Sequence, residues 1–348
     1  MTELTSSPAP TTGPEPPAQP GAVALSRRAG LVARAVGLRY SGFALWALFI
    51  IIFALWIPDT FLATSTAKSI AGDQAITVML ALGALFTLSA GQYDLSCAQN
   101  LGLSAVVSSS LMVNSHVAPL PAVLLTLALG AGIGAANGLI VAVVGVNSFI
   151  ATLGMSSILL ALTEQISNDQ FIGPLPASFQ ATLSHEPLGV PVITVYAVLL
   201  GAIVWYVLEH TPVGRRVYAT GANADAARLA GVRTGRNVFW SFVATGTIAA
   251  LAGTLLAARI GQTSSGLGPP YLLPAFAACF LGTTQIKLGR FNVWGTLLAI
   301  YLLATGVKGL QLAGGSIWIT DLFNGVALIG AVSVAVIAQR RRQAPGSS

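Results

Sequence analysis

Apolar residues in this chain come in long runs rather than at the spacing of an amphipathic surface helix. A run of about twenty residues is what a helix needs to cross a bilayer. Such runs cover roughly 41–57, 70–90, 97–113, 119–144, 148–165, 190–208, 238–260, 271–286, 292–311 and 316–338. Strands of an outer-membrane barrel would be shorter and would alternate with a period of two. The pattern therefore predicts an all-α polytopic membrane protein with about ten transmembrane helices. The third, fifth and eighth runs are short or broken by glycine. Such segments tend to line a path, because lipid cannot satisfy an interrupted backbone.

Ten spans place both ends on one side, and charge says which. With the N-terminus inside, the inner segments are 1–40, 91–96, 145–147, 209–237, 287–291 and 339–348. They hold 14 of the 17 Lys and Arg residues. That asymmetry predicts that both termini are cytoplasmic. Lys68, Arg259 and Lys308 are the exceptions, near outer helix ends. The outer loop 166–189 carries Asp169 and Glu186 and no Lys or Arg.

Composition agrees: 54% of residues are hydrophobic and 8% charged, with a mean hydropathy of +0.77. The net charge of +6 does not speak for nucleic acid, since the basic residues sit in loops between apolar runs. Cys97 and Cys279 form no disulfide framework, and neither they nor the three histidines have metal-ligand spacing, so no metal site is expected. Residues 1–40 read as a disordered Pro/Ala/Ser-rich tail with a basic juxtamembrane segment, 41–338 as the transmembrane domain, and 339–348 as a basic tail.

The segment between apolar runs that holds the most arginines is "TPVGRRVYATGANADAARLAGVRTGRN", residues 211–237, with five. Asn223 can cap a short helix through its side-chain oxygen. Asp225 then falls in the first turn, where the helix dipole favours an anion. Gly231 can adopt the left-handed conformation that ends the helix. Ala226, Ala227, Leu229 and Ala230 supply small and apolar side chains, with Arg228 on another face. So short a helix is marginal alone. It is either a surface turn whose arginines serve topology, or a docking helix for a cytoplasmic partner.

Here the chain resembles a family. Residues 211–232 are similar to the cytoplasmic loop of ABC transporter permeases of the ribose/xylose type, within the branched-chain amino acid/sugar permease superfamily. "GQYDLS" (91–96), "GAANGLIVA" (134–142), "SFIATLGM" (148–155), "AALAGTLLAARIG" (249–261) and "VWGTLLAIYLLATGVKGLQL" (293–312) resemble further family blocks in the family's order. The likeness covers roughly 40–338. Gln92 stands where a second Gly is usual, and "LGTTQIKLGRFN" (281–292) is poorer in Gly than its equivalent. The resemblance implies a coupling helix that enters a cleft of a separate ATPase subunit. Its residues here would be Arg215, Gly221, Asn223, Asp225, Ala226, Ala227, Arg228, Leu229 and Gly231. It also implies a second permease chain and an extracytoplasmic substrate-binding protein in a bacterial inner membrane.

Ionisable and amide groups inside a membrane are costly and each needs an account. Asp94 is either an anchor or gate accepting hydrogen bonds from nearby N–H groups, with Ser96 beside it, or an interfacial acid at a helix N-terminus. Asn137 makes a helix–helix hydrogen bond or touches solute. Phe149, Gln165, Gln262 and Tyr271 are candidates for the outer half of a sugar path, or are packing residues. Asp73, Gln74, Asp321 and Asn324 read as interfacial positions reached by water.

The chain contains no G-x-x-x-x-G-K-[ST], so it has no phosphate cradle of that kind. No nucleophile–base arrangement suggests an enzyme or assembly factor. The expected function is the permease subunit of an ATP-driven importer for a monosaccharide or similar solute. It would bind no cofactor itself, with ATP and Mg used by the partner ATPase. The alternative is an ion-coupled secondary transporter, for which Asp94 is the one strong candidate.

Overall fold

A computed structural model describes residues 41–343, apart from 184, 187, 188 and 317. Side chains are described to residue 333. The N-terminal tail, the arginines within it and the basic C-terminal tail residues 344–348 lie outside the described residues.

The described residues form helices α1 (Ser41–Trp56), α2 (Pro58–Phe61), α3 (Thr64–Ser89), α4 (Cys97–Val113), α5 (Pro119–Leu139) and α6 (Ser148–Ser167). There follow α7 (Ala177–Ala181), α8 (Val192–His210), α9 (Pro212–Ala222), α10 (Ala224–Leu229) and α11 (Thr234–Ile260). The last are α12 (Leu272–Gly282), α13 (Val293–Leu312) and α14 (Trp318–Gln343). α5 continues through one π-helical segment, Ile140–Val144, and stops at Gly145 with φ +85°. Among the described residues no strand forms, and Ile172 and Thr263 make one isolated antiparallel bridge.

Each of the ten apolar runs contains a helix. Six are long and apolar enough to cross a membrane, and three shorter apolar helices accompany them: Gly42–Trp56, Cys97–Val113 and Trp318–Ser333. Two expectations change. The fifth run is neither short nor broken: α6 is a continuous 20-residue helix. The last helix does not stop at 338 but runs to Gln343.

α3 and α11 are the buried centre, and α11 packs against α3, α4 and α5. Between apolar helices in lipid there is little hydrophobic drive, so close backbone packing has to hold them. α11 supplies it with a small-residue face. A Cβ on Gly246 would collide with the Gly130 carbonyl of α5, and one on Gly134 with the Phe242 carbonyl of α11. Asn100 of α4 locks this crossing by donating to the carbonyls of Gly130 (3.4 Å) and Gly246 (3.2 Å). Thr245 of α11 donates to the Gly83 carbonyl of α3 at 2.8 Å. Both cysteines are free and buried.

The three basic exceptions gather at one end of α3. Arg259 pairs with Asp73 and donates to the Gly72 carbonyl at 2.8 Å. Lys308 donates to Ser69 at 3.0 Å and lies 3.9 Å from Asp73, and Lys68 pairs with Glu186 at 2.8 Å. These cations sit where they do because acids compensate them. Asp73, well inside α3, and Asp321 are exposed and Gln74 is half-buried, but Asn324 is buried.

The glycines of α5 give a direct test. Gly134→Val should lower the yield of folded protein sharply, with overpacking worth roughly 1–3 kcal/mol or more. Gly132→Ala, on the same helix with nothing within 4 Å of the new Cβ, should leave it unchanged. Size-exclusion profiles and thermal midpoints in detergent read the difference.

Candidate functional site: the loop 211–233 and the turn 90–96

The loop 211–233 is mostly helical. Thr211 accepts from the Gly214 amide (3.5 Å) and donates to the Val207 carbonyl (2.6 Å), and Pro212 occupies the first helical position of α9. A capping Thr followed by Pro is a helix-start signal, and it marks a helix that the apolar pattern does not predict. Asn223 then ends α9 and starts α10. Its side-chain oxygen accepts from the Ala226 amide at 2.9 Å, and Asp225 lies in the first turn. Gly231 has φ +79°. Its amide donates to the Arg228 carbonyl (3.0 Å), and the Val232 amide donates to the Ala227 carbonyl (2.9 Å). This pair of bonds closes the helix end in a Schellman motif.

α10 is held on one side only. Ala227 is buried, whereas Asp225, Ala226, Arg228 and Ala230 are exposed. Leu229 is 91% exposed. An isolated apolar side chain so exposed on a six-residue helix costs hydration without packing return in this chain. Arg215 of α9 is also exposed.

α9 carries this helix against the turn after α3. A Cβ on Gly221 would collide with the Ser89 carbonyl, and one on Gly91 (φ +77°) would lie 3.2 Å from the Gly221 Cα. The two backbones touch because neither residue has a side chain. Thr220 accepts from Asn237 at 3.0 Å, tying α9 to α11 as well.

The turn 90–96 is in turn stitched to two helices. The Tyr93 amide donates to Ser148 Oγ and the Leu95 amide to Thr152 Oγ1, both at 3.1 Å. Asp94 is 1% exposed, and its Oδ1 accepts from the Ser96 amide (3.1 Å) and the Ser96 hydroxyl (2.6 Å). Asn137 of α5 donates to Ser96 Oγ at 2.8 Å. Asp94 is thus buried and bonded within the turn, and the Asn137 bond reaches a turn residue and not a second helix. The partners Ser148 and Thr152 left no mark in the sequence, since each lies more than fifty positions away.

The seven path candidates do not converge, and Tyr271 is half-buried just before α12. Asp94, Ser96 and Asn137 form one buried chain. Phe149, grouped above with the outer half of a path, instead lines a cavity of about 550 Å³ with Gly91, Tyr93, Asn147, Arg228 and Thr234. It opens α6, so the loop end of the molecule is where that helix's direction puts it. Gln165 and Gln262 are exposed, the first near the far end of α6 and the second just past the far end of α11. Among the described residues no group of three His, Cys, Asp or Glu side chains forms a metal site.

The family described as branched-chain amino acid transport system / permease component matches residues 66–332. The chain belongs to that family. This permease is 32% identical to the ribose import permease protein RbsC of Bacillus subtilis, over 85% of this chain and 92% of that protein. It is 28% identical to the galactose/methyl galactoside import permease protein MglC of Escherichia coli, over 88% and 96%. It is 26% identical to the D-allose transport system permease protein AlsC of Escherichia coli, over 85% and 91%. No solved structure matches it. The matched region spans both the turn 90–96 and the loop 211–233, so the permease carries its contact between them within the family's own extent.

Burial pushes the Asp94 carboxyl up from 3.8 to about 6, with the Ser96 and Cys97 hydrogen bonds acting the other way. The turn lies outside the flanking helices. A raised folded-state value means the native turn favours the protonated acid. That contribution is complete below about pH 4 and is lost as pH rises through about 6. Asp94→Asn keeps an oxygen for both Ser96 donors and removes the titration. Its stability should match the wild type near pH 4 and exceed it near pH 7.5 by an amount on the order of 3 kcal/mol or less, seen as a higher thermal midpoint. Melting curves at the two pH values check this.

Proposed function

We propose that this chain is the membrane-spanning subunit of an ATP-driven importer for a monosaccharide, working in a bacterial inner membrane with both termini cytoplasmic. In this reading ten helices span, the short ones lining or flanking the path. A second permease chain completes the path, an extracytoplasmic binding protein delivers the solute, and a separate ATPase subunit hydrolyses ATP with Mg. Ribose, galactose and allose, named for three relatives, define the solute class.

The observation that carries the reading is α10, capped at both ends and exposed, in a permease-family chain. Leu229 and the small side chain of Ala226 offer an apolar contact that a partner cleft can cover. Asn223, Asp225 and Gly231 hold the helix, and Arg215 and Arg228 flank it with positive charge. Gly221 lets α9 press on the turn 90–96, so a push on α10 reaches Asp94, Ser96 and the helices bonded to them. The ATPase would bias a two-state arrangement of these elements through its different affinities for them with and without ATP. Phe149 then belongs to the inner mouth, and Gln165 and Gln262 to the outer one. The ion-coupled alternative has less behind it: the Asp94 oxygen is engaged by Ser96, and the relatives are named as import permeases.

Leu229→Asp tests the docking role without touching the buried side of α10. It should leave the yield of folded permease unchanged. It should cut capture of the ATPase subunit from gently solubilised membranes by about ten-fold or more, the penalty of placing a charge in a desolvated contact. Equal capture of the ATPase by both forms would remove α10 as the docking element.

A further inference from the structure

Glu209 is the penultimate residue of α8, and its side chain is only 8% exposed. Two cations converge on a single oxygen of its carboxylate. Lys287 Nζ pairs with Oε2, and Arg290 Nη2 lies 3.5 Å from the same atom. Both cations come from residues 283–292, the connection between α12 and α13. The Arg290 guanidinium also lies 3.6 Å from the centroid of the Tyr218 ring on α9. The Tyr218 hydroxyl donates to the Phe291 carbonyl at 2.8 Å. One carboxylate, one guanidinium and one phenol thus fasten this connection to α8 and α9 together.

The connection is stiff in itself. Ile286 and Gly289 both have positive φ, +55° and +76°. Buried Asn292 accepts from the Gly295 amide at 2.7 Å and donates to the carbonyls of Gly282, Gln285 and Arg290. Gln285 accepts from the Gly42 amide of α1 at 2.8 Å. A displacement of α9 therefore has a second route into the bundle besides the turn 90–96, through 283–292 to α12, α13 and α1.

Topology alone does not explain this arrangement. The positive-inside bias requires Lys287 and Arg290 to lie on that side, not to meet on one buried acid. An exposed ion pair would be a weak tether. A buried carboxylate has to remain compensated, and the guanidinium over the ring fixes the direction of the contact.

We propose that Glu209 is a positioning residue for coupling, locking residues 283–292 to α8 and α9 so that movement of the ATPase-bound loop is passed to α12 and α13. This rests on the importer reading above. The test uses the full-length permease reconstituted in proteoliposomes with its ATPase subunit and binding protein. Radiolabelled ribose, galactose and allose serve as probes, and solute imported and ATP hydrolysed are read in the same vesicles. Glu209→Gln should retain the ATPase subunit and its hydrolysis within about two-fold, while importing about ten-fold less solute per ATP. Combining it with Lys287→Met should do no further harm, because the two changes remove one contact. An unchanged ratio of import to hydrolysis overturns the proposal. So does a loss of both in equal proportion, which marks a merely structural role. If Glu209→Gln does not assemble, Lys287→Met alone must lower the ratio, and an unchanged ratio there overturns it equally. Failure of the wild type to import any probe with ATP contradicts the importer reading instead.

Discussion

The contact on which the rest of the site depends is the approach of two backbones at Gly91 and Gly221. A methyl group at Gly221 would collide with the Ser89 carbonyl, and at Gly91 a positive φ and a 3.2 Å approach to Gly221 disfavour one. Without that approach α9 could not lie on the turn after α3, and α10 would hang from the bundle by its ends. With it, α9, the turn, α6, α11 and α5 become one body. α9 is held by Thr220 to Asn237 of α11, and the turn is held by Ser148 and Thr152 to α6. Asp94, Ser96 and Asn137 continue the chain into α5. Each of these bonds satisfies a backbone or side-chain group that neither lipid nor packing could satisfy.

The same solvent logic orders the rest of the molecule. In the middle, α3 and α11 meet their neighbours through glycine, alanine and hydroxyl side chains that return their protons to nearby carbonyls, as Ser241 does to Asn237 and Thr245 to Ser241. Charge is kept to the ends. At one end Asp73 gathers Arg259 and Lys308. At the other, Glu209 gathers Lys287 and Arg290. The two clusters differ in burial, 46% exposed for the Asp73 side chain and 8% for Glu209. The cations are partly exposed in both clusters, so it is the buried Glu209 carboxylate on which the proposed joint rests.

What could be read in advance was what is local. The cap at Asn223, the acid at Asp225 and the stop at Gly231 are signals within nine residues, and all three have the geometry their chemistry demands. The helical runs were legible because each is apolar on every side. The cap and proline at Thr211–Pro212 were equally local, but α9 is polar on much of its surface and carries no such run. The fifth run, 148–165, reads as short because polar Ser167 and Asn168 follow it closely, whereas α6 extends to Ser167. Contacts between distant positions left no trace: Gly91 with Gly221, Ser148 with Tyr93, Glu209 with Lys287. Placing Phe149 at the loop end required only the direction of α6, yet its aromatic ring had suggested a sugar-facing position.

The central claim is that the loop drives the path through the Gly221 contact. The most direct measurement is import per ATP by Gly221→Ala in reconstituted vesicles that have bound the ATPase subunit normally. A single methyl group there must push α9 off the Ser89 carbonyl. The account predicts that hydrolysis continues while solute imported per ATP falls about ten-fold, even with the 283–292 connection intact. Uptake at the wild-type ratio would show that the 283–292 connection alone suffices and would contradict the central place of the Gly221 contact.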